Sequence, residues 1–286
     1  MQPVLQNLVD LLALERIDRD LFRGSSHDLG WGAIFGGQVL GQALSAATQT
    51  VTPDRAVHSA HGYFIRAGEL ARPIVYQVGR LRDGKSFSTR SVVAVQEGEA
   101  IFSLHASFQV EEHGLEHHDA MPDVPPPESL RSERDLAMAR AHELPEFIRA
   151  RVTAERSIEI RPVEERNPLA PEIRPPLRRL WYRAVDRLPD DPALHRYLLG
   201  YASDFSFLST ALDPHGVSFV TPGMKVASLD HAIWFHRPFR VDDWLLYDVE
   251  SPNASGARGL VRGRFFDRQG RLVASAVQEG LIRKMR

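Results

Sequence analysis

Apolar residues recur at helical spacing at two places in the first half of the chain. Residues 3–14 predict an amphipathic helix with one apolar face, formed by Val4, Leu5, Leu8, Leu11 and Leu12. Residues 36–51 predict a second helix, whose many small residues would allow close contact with a sheet. Strand-like runs follow, and the turns between the last three contain Gly84 and Gly98; the runs cover 57–65, 73–81, 87–96 and 100–110.

The second half repeats this order of elements. Residues 192–212 predict one long helix, and strand-like runs lie on both sides of it, at 157–163, 180–185, 224–237, 244–250, 259–267 and 272–282. Residues 113–156 differ because they are rich in proline and charge, with a short helical pattern at 131–142. We therefore predict an N-terminal domain over 1–112, a linker with a short helix over 113–156, and a C-terminal domain over 157–286.

Each half thus combines a helix with an antiparallel meander, and short segments agree between the halves, such as 59–64 with 229–234. This duplicated pattern predicts an α+β fold of the double hotdog type, with two tandem helix-wrapped antiparallel β-sheets. We expect the two sheets to join edge to edge, because pairing each edge strand with its copy removes an exposed edge.

Composition narrows the function classes. The chain has 35 Lys and Arg against 37 Asp and Glu, so its near-neutral charge gives no general attraction to nucleic acid or anionic lipid. The absence of cysteine excludes disulfides, thiolate zinc sites, iron–sulfur clusters and cysteine nucleophiles. No stretch approaches the roughly 18 apolar residues of a membrane span, and the N-terminus lacks the basic region of a signal peptide. We expect a cytoplasmic protein.

Three motif matches have simpler interpretations. Residues 79–86 satisfy the P-loop spacing, but the residues after them are strand-like, so a hairpin turn at Gly84 is the better interpretation. The glycines at 36–41 lack the dinucleotide-binding spacing and are better explained by helix–sheet contact. The histidines of the linker, His113, His117 and His118, are more typical of a solvated loop than of a metal site. We expect no bound metal.

Asp204 stands out because it lies in a mostly apolar helical stretch, where a carboxylate is costly unless it is hydrogen-bonded. A helix-capping or kinking aspartate is the alternative interpretation. When the halves are aligned by eye, Asp204 falls opposite Gly36, Ser228 opposite His58 and Gln278 opposite Ala106. Only the second half therefore holds a complete set of polar residues.

Around these residues the chain resembles the type II acyl-CoA thioesterases, a double-hotdog family. The resemblance runs nearly end to end, through LFRG at 21–24, FGGQV at 35–39, VHS at 57–59, LRDG at 81–84, ASFQ at 106–109, YLLGYASD at 197–204, DH at 230–231 with WFHRPF at 234–239, and VQEG at 277–280. It implies hydrolysis of acyl-CoA thioesters without a metal or redox cofactor. The family's catalytic Asp, Thr or Ser, and Gln fall on Asp204, Ser228 and Gln278. Close relatives carry Thr where this chain has Ser228.

The resemblance suggests that these three residues hold one water, with Asp204 as general base. An ordinary Asp is a weak base, so burial should raise its pKa. Direct attack by Asp204, through an anhydride, is the alternative. We expect the oxyanion to be held by amides at the start of the helix that carries Asp204.

We expect a fatty acyl chain of medium to long length to lie in an apolar tunnel between helix and sheets. Candidate substrate-binding residues are His58, Phe35, Tyr63, Phe205 and Trp234, although each apolar one could equally be ordinary core. The other strand histidines, His61 and His231, could contact substrate or be buried and hydrogen-bonded. The family resemblance also suggests a homo-oligomer, either a dimer or a tetramer.

Two other functions remain open on the same fold. A non-catalytic acyl-CoA-binding or sensing module would bind without turnover. A hydratase or dehydratase would need a paired Asp and His, and no histidine lies near Asp204 in the sequence.

Overall fold

The computed structural model describes residues 1–30, 32–144 and 146–285. The first half contains two helices and six strands: α1 (Pro3–Leu12), β1 (Glu15–Asp18), β2 (Leu21–Gly24), α2 (Gly36–Thr48), β3 (Arg55–Phe64), β4 (Ile74–Asp83), β5 (Phe87–Gln96) and β6 (Glu99–Val110). The linker forms α3 (Glu133–Ala139) and α4 (Glu146–Thr153). The second half contains β7 (Ile158–Pro162), β8 (Leu177–Ala184), α5 (Pro192–Ala202), β9 (Met224–Ser228), β10 (Asp230–Phe235), β11 (Leu245–Ser255), β12 (Arg258–Asp267) and β13 (Leu272–Lys284).

The strands form one antiparallel sheet in the order β1-β2-β4-β5-β6-β3-β10-β13-β12-β11-β8-β7, with β9 paired to β13. The two halves join through β3 and β10, where Ala232 lies opposite His61. On one side of this junction the strand order is β4-β5-β6-β3, and on the other side it is β11-β12-β13-β10. The two halves therefore have the same topology. The expected double hotdog, with its sheets joined edge to edge, is therefore confirmed.

The central helices α2 and α5 pack against each other and against the sheet. Glycines permit this close approach, since a Cβ on Gly41 would lie 3.1 Å from the carbonyl oxygen of Tyr197 and one on Gly200 would lie 2.7 Å from Leu44. Leu44, Leu198 and many sheet residues are fully buried in one continuous core. Each such side chain contributes about 1.5–3 kcal/mol by leaving water. The face of the sheet towards α2 and α5 is called the inner face below.

The linker is folded onto the outer face of the second half. Met121, Val124 and Leu130 pack against a small cluster that contains Trp181 and Trp244, and the Trp181 indole donates a hydrogen bond of 3.0 Å to the carbonyl oxygen of Pro125. A reciprocal cap between Ser132 and Asp135 starts α3, and such caps stabilise a helix by about 1 kcal/mol.

Two local predictions need correction. The helix predicted at 192–212 ends at Ala202, because Ser206 adopts a positive φ of 58° that a helix cannot continue. The strand predicted over 224–237 is two strands interrupted at Leu229, and α4 was not predicted. The P-loop-like segment is the β4–β5 hairpin, in which the amide of Gly84 donates to the carbonyl of Phe87 at 2.8 Å. Within the described ranges, no helix is long and apolar enough to cross a bilayer.

Candidate active site

Three polar side chains from separate elements meet at the inner face of the second half. Asp204 lies in the turn after α5, Ser228 ends β9, and Gln278 is a buried residue of β13. The Nε2 group of Gln278 donates to Oδ1 of Asp204 at 3.1 Å and to the hydroxyl of Ser228 at 2.5 Å. The structure therefore brings together the three residues predicted from the sequence.

Strand register explains how two of these residues become neighbours. Ser228 pairs with Gly280 across β9 and β13, and Gln278 lies two residues before Gly280 on the same face. A Cβ on Gly280 would collide with Leu208, so this strand approaches the segment after α5 closely. That approach places Gln278 beneath the turn that carries Asp204.

The start of α2, from the other half of the chain, completes the cluster. The amide of Gly37 donates to Oδ2 of Asp204 at 2.9 Å. A Cβ on Gly36 would lie only 2.8 Å from the same oxygen, so the carboxylate can sit here because Gly36 has no side chain. The positive end of the α2 dipole also favours the ionised carboxylate. The helix start at this site is thus that of α2, not that of α5 as predicted.

The electrostatics of the cluster suit a base. Burial raises the pKa of Asp204 to about 6, and the hydrogen bonds from Gln278 and Gly37 oppose this rise. Its side chain is only 7% exposed. A carboxylate with this pKa is ionised at neutral pH and accepts a proton more readily than an ordinary Asp.

His231 on β10 lies beside this cluster. Its Nδ1 is 4.0 Å from Oδ1 of Asp204, and burial lowers the pKa of its fully buried imidazole to about 4. No histidine lies near Asp204 in the sequence, but β10 carries His231, which is 27 positions further along the chain, to 4.0 Å from the Asp204 carboxylate.

Comparison with known proteins shows the family of this chain. A family model described as acyl-CoA thioesterase matches residues 147–281, and one described as acyl-CoA thioesterase N-terminal domain matches residues 26–109. The chain is 45% identical to acyl-CoA thioesterase 2 of Haemophilus influenzae over 99% of both chains. It belongs to the type II acyl-CoA thioesterase family. The resemblance seen in the sequence is thereby confirmed.

Other relatives extend this family assignment. The chain is 43% identical to human acyl-coenzyme A thioesterase 8, over 96% of this chain and 88% of that protein. The crystal structure of an acyl-CoA thioesterase II from Mycobacterium marinum superposes with a TM-score of 0.77, at 41% identity and 97% coverage of both chains.

A cavity of about 670 Å³ lies beside the site of this thioesterase family member. Its apolar walls come from α1, the start of α2 and the end of α5, namely Val4, Leu8, Leu11, Phe35, Tyr201 and Phe205. Phe35 precedes Gly36 and Phe205 follows Asp204, and the two rings stack with centroids 4.5 Å apart. The linker contributes Arg151 and Arg156 to the same cavity. Its volume falls in the range typical of small-molecule sites.

Three predicted substrate-binding residues are not brought to this cluster. His231 faces inward, and Gly62 pairs with it on the neighbouring strand. Because side chains alternate between the two faces along a strand, Tyr63, one residue after Gly62, and Trp234, three residues after His231, point to the outer face. Their side chains are 58% and 39% exposed there. His58 contacts the hydroxyl of Ser107, 2.9 Å from its Nε2.

The bond from the Gly37 amide to Asp204 was not predicted from the sequence. The glycine pair at the start of α2 could have indicated it, but helix–sheet contact explained that pair equally well. His231 was noticed only as one of three strand histidines.

Proposed function

We propose that this protein hydrolyses acyl-CoA thioesters to a free fatty acid and CoA. The observation that carries this proposal is the buried Asp204 carboxylate, which accepts hydrogen bonds from Gln278 and Gly37 and has a pKa raised to about 6. Family membership supports the reaction class, and the geometry of the cluster supports the assignment of its three residues.

In the proposed mechanism Asp204 removes a proton from a water molecule. Ser228 already accepts a hydrogen bond from Gln278, so its own proton is free to be donated to that water and to orient it. The water oxygen attacks the thioester carbon, and a tetrahedral oxyanion forms. The carbon–sulfur bond then breaks, and the proton held by Asp204 passes to the CoA thiolate, which regenerates the base.

In this proposal the oxyanion is held by a first-turn amide of α2 other than those of Gly37 and Gln38, which already donate to Asp204 and to the carbonyl of Phe35. That helix start faces the site, as the bond from Gly37 to Asp204 demonstrates. An oriented backbone donor of this kind contributes about 3 kcal/mol to the transition state.

The apolar cavity receives the acyl chain, and we propose a preference for chains of medium to long length. Phe35 and Phe205 link the cavity to the catalytic carboxylate because each is the chain neighbour of a site residue. Arg151 and Arg156 line the same cavity together with Asp28 and Glu155, and we propose that the two guanidinium groups pair with the phosphates of CoA. Burial lowers the pKa of Arg151 only to about 10, so it stays charged at neutral pH.

The decisive experiment measures release of free CoA thiol from a graded series of acyl-CoAs. Because the chain has no cysteine, the thiol reagent reports only the product. We expect Asp204→Asn and Ser228→Ala to lose activity, whereas Ser228→Thr keeps the hydroxyl and should remain active. Activity of the wild type should fall below about pH 6, where Asp204 is protonated. Binding of every acyl-CoA without turnover would instead establish the binding module.

Hydrolysis in ¹⁸O-labelled water under single turnover separates the two chemical routes. Water attack places the label in the fatty acid. Label in the carboxyl group of Asp204, detected by mass spectrometry of its peptide, would overturn this mechanism in favour of an anhydride.

We also propose a cytoplasmic homo-oligomer with the three-part domain organisation given above. The exposed aromatic side chains of Tyr63 and Trp234 at the β3–β10 junction support association of copies. Light scattering should give two or four times the chain mass of 32.2 kDa, and a mass of one chain would contradict this.

A further inference from the structure

Two buried tyrosines bond the backbone on either side of Asp204. The hydroxyl of Tyr247, on β11, donates to the carbonyl oxygen of Ser203 at 3.0 Å. The hydroxyl of Tyr182, on β8, donates to the carbonyl oxygen of Phe205 at 2.7 Å. Both tyrosines are fully buried. The residue before Asp204 and the residue after it are therefore each tied to the inner face of the sheet.

This segment needs such bonds because the helix that precedes it has ended. The final carbonyl oxygens of an α-helix have no donor from a following turn. The helix α5 ends at Ala202, and Ser206, with its φ of 58°, turns the chain away from the helical path. A serine adopts this left-handed conformation only at a cost in energy, so contacts from outside the segment must hold it. The two tyrosine hydroxyls are contacts of this kind.

The sheet fixes the place of both phenol rings. The strands β8 and β11 are neighbours, and Tyr182 lies opposite Leu245, which is two residues before Tyr247. The two rings meet edge to face, with centroids 5.5 Å apart. A Cβ on Gly263 of β12 would collide with the Tyr247 ring, so this glycine leaves the space that the ring fills. Because the core encloses both rings, their hydroxyls are fixed points against which the turn is held.

The direction of both hydrogen bonds follows from the chemistry of the partners. A backbone carbonyl oxygen can only accept, so each phenol must donate. Burial raises the pKa of Tyr182 and that of Tyr247 well above the usual value of 10.0. Each phenol therefore keeps the proton that it donates at neutral and mildly alkaline pH.

We propose that Tyr182 and Tyr247 are positioning residues: their hydroxyls hold the backbone on both sides of Asp204 and thereby fix the place of its carboxylate. The donors to that carboxylate, Gly37 and Gln278, come from other elements and lie 2.9 and 3.1 Å from it. A shift of the turn by about 1 Å away from them would break both hydrogen bonds. This inference rests on the proposed function, since it deepens the account of the same site.

The consequence is a change in rate rather than in affinity. In the proposed mechanism Asp204 is the base, and a small displacement of a reacting group lowers the rate of the chemical step strongly. The cavity wall keeps its shape without the tyrosine hydroxyls, because the Phe205 ring also stacks on Phe35 and meets the edge of Tyr201. We therefore expect kcat to fall while KM stays the same.

Tyr76 offers a matched control in the first half of the chain. It is the third residue of β4, as Tyr247 is the third residue of β11, and these two strands hold the same place in the two halves of the sheet. Tyr76 is equally buried, and its hydroxyl donates to Oε1 of Gln42 at 2.7 Å. Tyr76→Phe therefore removes the same atom and a comparable buried hydrogen bond, but it leaves the bonds to the turn around Asp204 intact.

The first test compares Tyr182→Phe, Tyr247→Phe and Tyr76→Phe in the thiol assay. Each variant leaves one buried acceptor without its donor, so urea unfolding should show a similar loss of stability in all three. For Tyr182→Phe and Tyr247→Phe we expect kcat to fall about tenfold or more at unchanged KM, whereas Tyr76→Phe should keep kcat within about twofold. An equal fall of kcat in all three variants would overturn the proposal, because the tyrosines would then act only through stability. Full kcat in Tyr182→Phe or in Tyr247→Phe would overturn it for that residue.

The second test follows the position of the carboxylate without turnover. The amide of Gly37 donates to Asp204, and loss of a hydrogen bond makes an amide exchange faster with solvent. Hydrogen exchange, read by mass spectrometry of peptides that cover the first turn of α2, should be faster in Tyr182→Phe and Tyr247→Phe than in Tyr76→Phe. Equal exchange in the three variants would overturn the inference. A wild type without turnover would refute the proposed function, and the exchange at Gly37 would still decide whether the tyrosines hold the carboxylate.

Discussion

Replacing Asp204 by Asn should make the stability of the protein relative to the wild type rise between acidic and neutral pH, while it abolishes hydrolysis. The pKa of this carboxyl rises from an ordinary value of 3.8 to about 6 in the folded protein. A difference of about two units corresponds to a cost of about 3 kcal/mol for holding the ionised group in the fold. Asn is neutral at every pH and avoids this cost.

The cost depends on pH in a defined direction. Because the folded pKa lies above the unfolded one, both states hold the proton below about pH 4 and there is no penalty. Between about pH 4 and pH 6 the unfolded chain loses its proton first, so the stability of the wild type falls. Above about pH 6 the penalty is complete. The gain from Asp204→Asn should therefore grow from near zero to about 3 kcal/mol over this window, relative to its value at low pH.

Urea unfolding of the wild type and Asp204→Asn at steps between pH 4 and pH 7.5 measures this gain. In Asp204→Asn the side-chain NH₂ group faces one of the two donors that bond the wild-type carboxylate, the Gly37 amide or the Gln278 amide. Two donors facing each other cost about 1–3 kcal/mol, but this cost is the same at every pH. Only the change with pH is therefore diagnostic. Asp54→Asn, in the exposed loop before β3, is the control and should show no such change. A difference for Asp204→Asn that stays constant with pH would refute the reasoning.

Three further predictions concern other parts of the molecule. Gly36→Ala would press a methyl group against the Asp204 carboxylate, so kcat should fall about tenfold or more, whereas Gly114→Ala meets open space and should change nothing in the same thiol assay. Val4→Trp should narrow the cavity and lower kcat/KM most for the longest acyl-CoAs; an equal loss at all lengths would place the acyl chain elsewhere. Arg90→Met removes a fully buried guanidinium that donates to the buried Thr50 and to the half-exposed Asp83, so urea unfolding should detect a loss of about 1–3 kcal/mol from the unpaired Thr50 acceptors with kcat unchanged, and an unaltered midpoint would contradict this.

The fold could be predicted because its signals are local and occur twice. Apolar periodicity marks α1, α2 and most of the strands, and turn residues such as Gly84 separate them. Repetition of the pattern then indicates two similar units, which can cover their edge strands by pairing with each other. Where local signals were weak the prediction failed, as at Ser206, a non-glycine residue whose positive φ ends the helical stretch before Leu212.

The proposed catalytic residues were recognised by resemblance, since no local pattern relates them. Gln278 lies 74 positions after Asp204, and Gly37 lies 167 positions before it. The outward direction of Tyr63 and Trp234 likewise depends on strand register, because a shift of one residue moves every side chain to the opposite face.

The sequence by itself determined most of the helices and strands, their duplication and the family of this protein. Only the tertiary structure decided that the start of α2 meets the end of α5, that Gly37 donates to Asp204, and that His231 lies 4.0 Å from Asp204. The physical reason is that hydrogen bonds act over about 3 Å, whereas their partners are placed by the packing of helices and sheet from opposite ends of the chain.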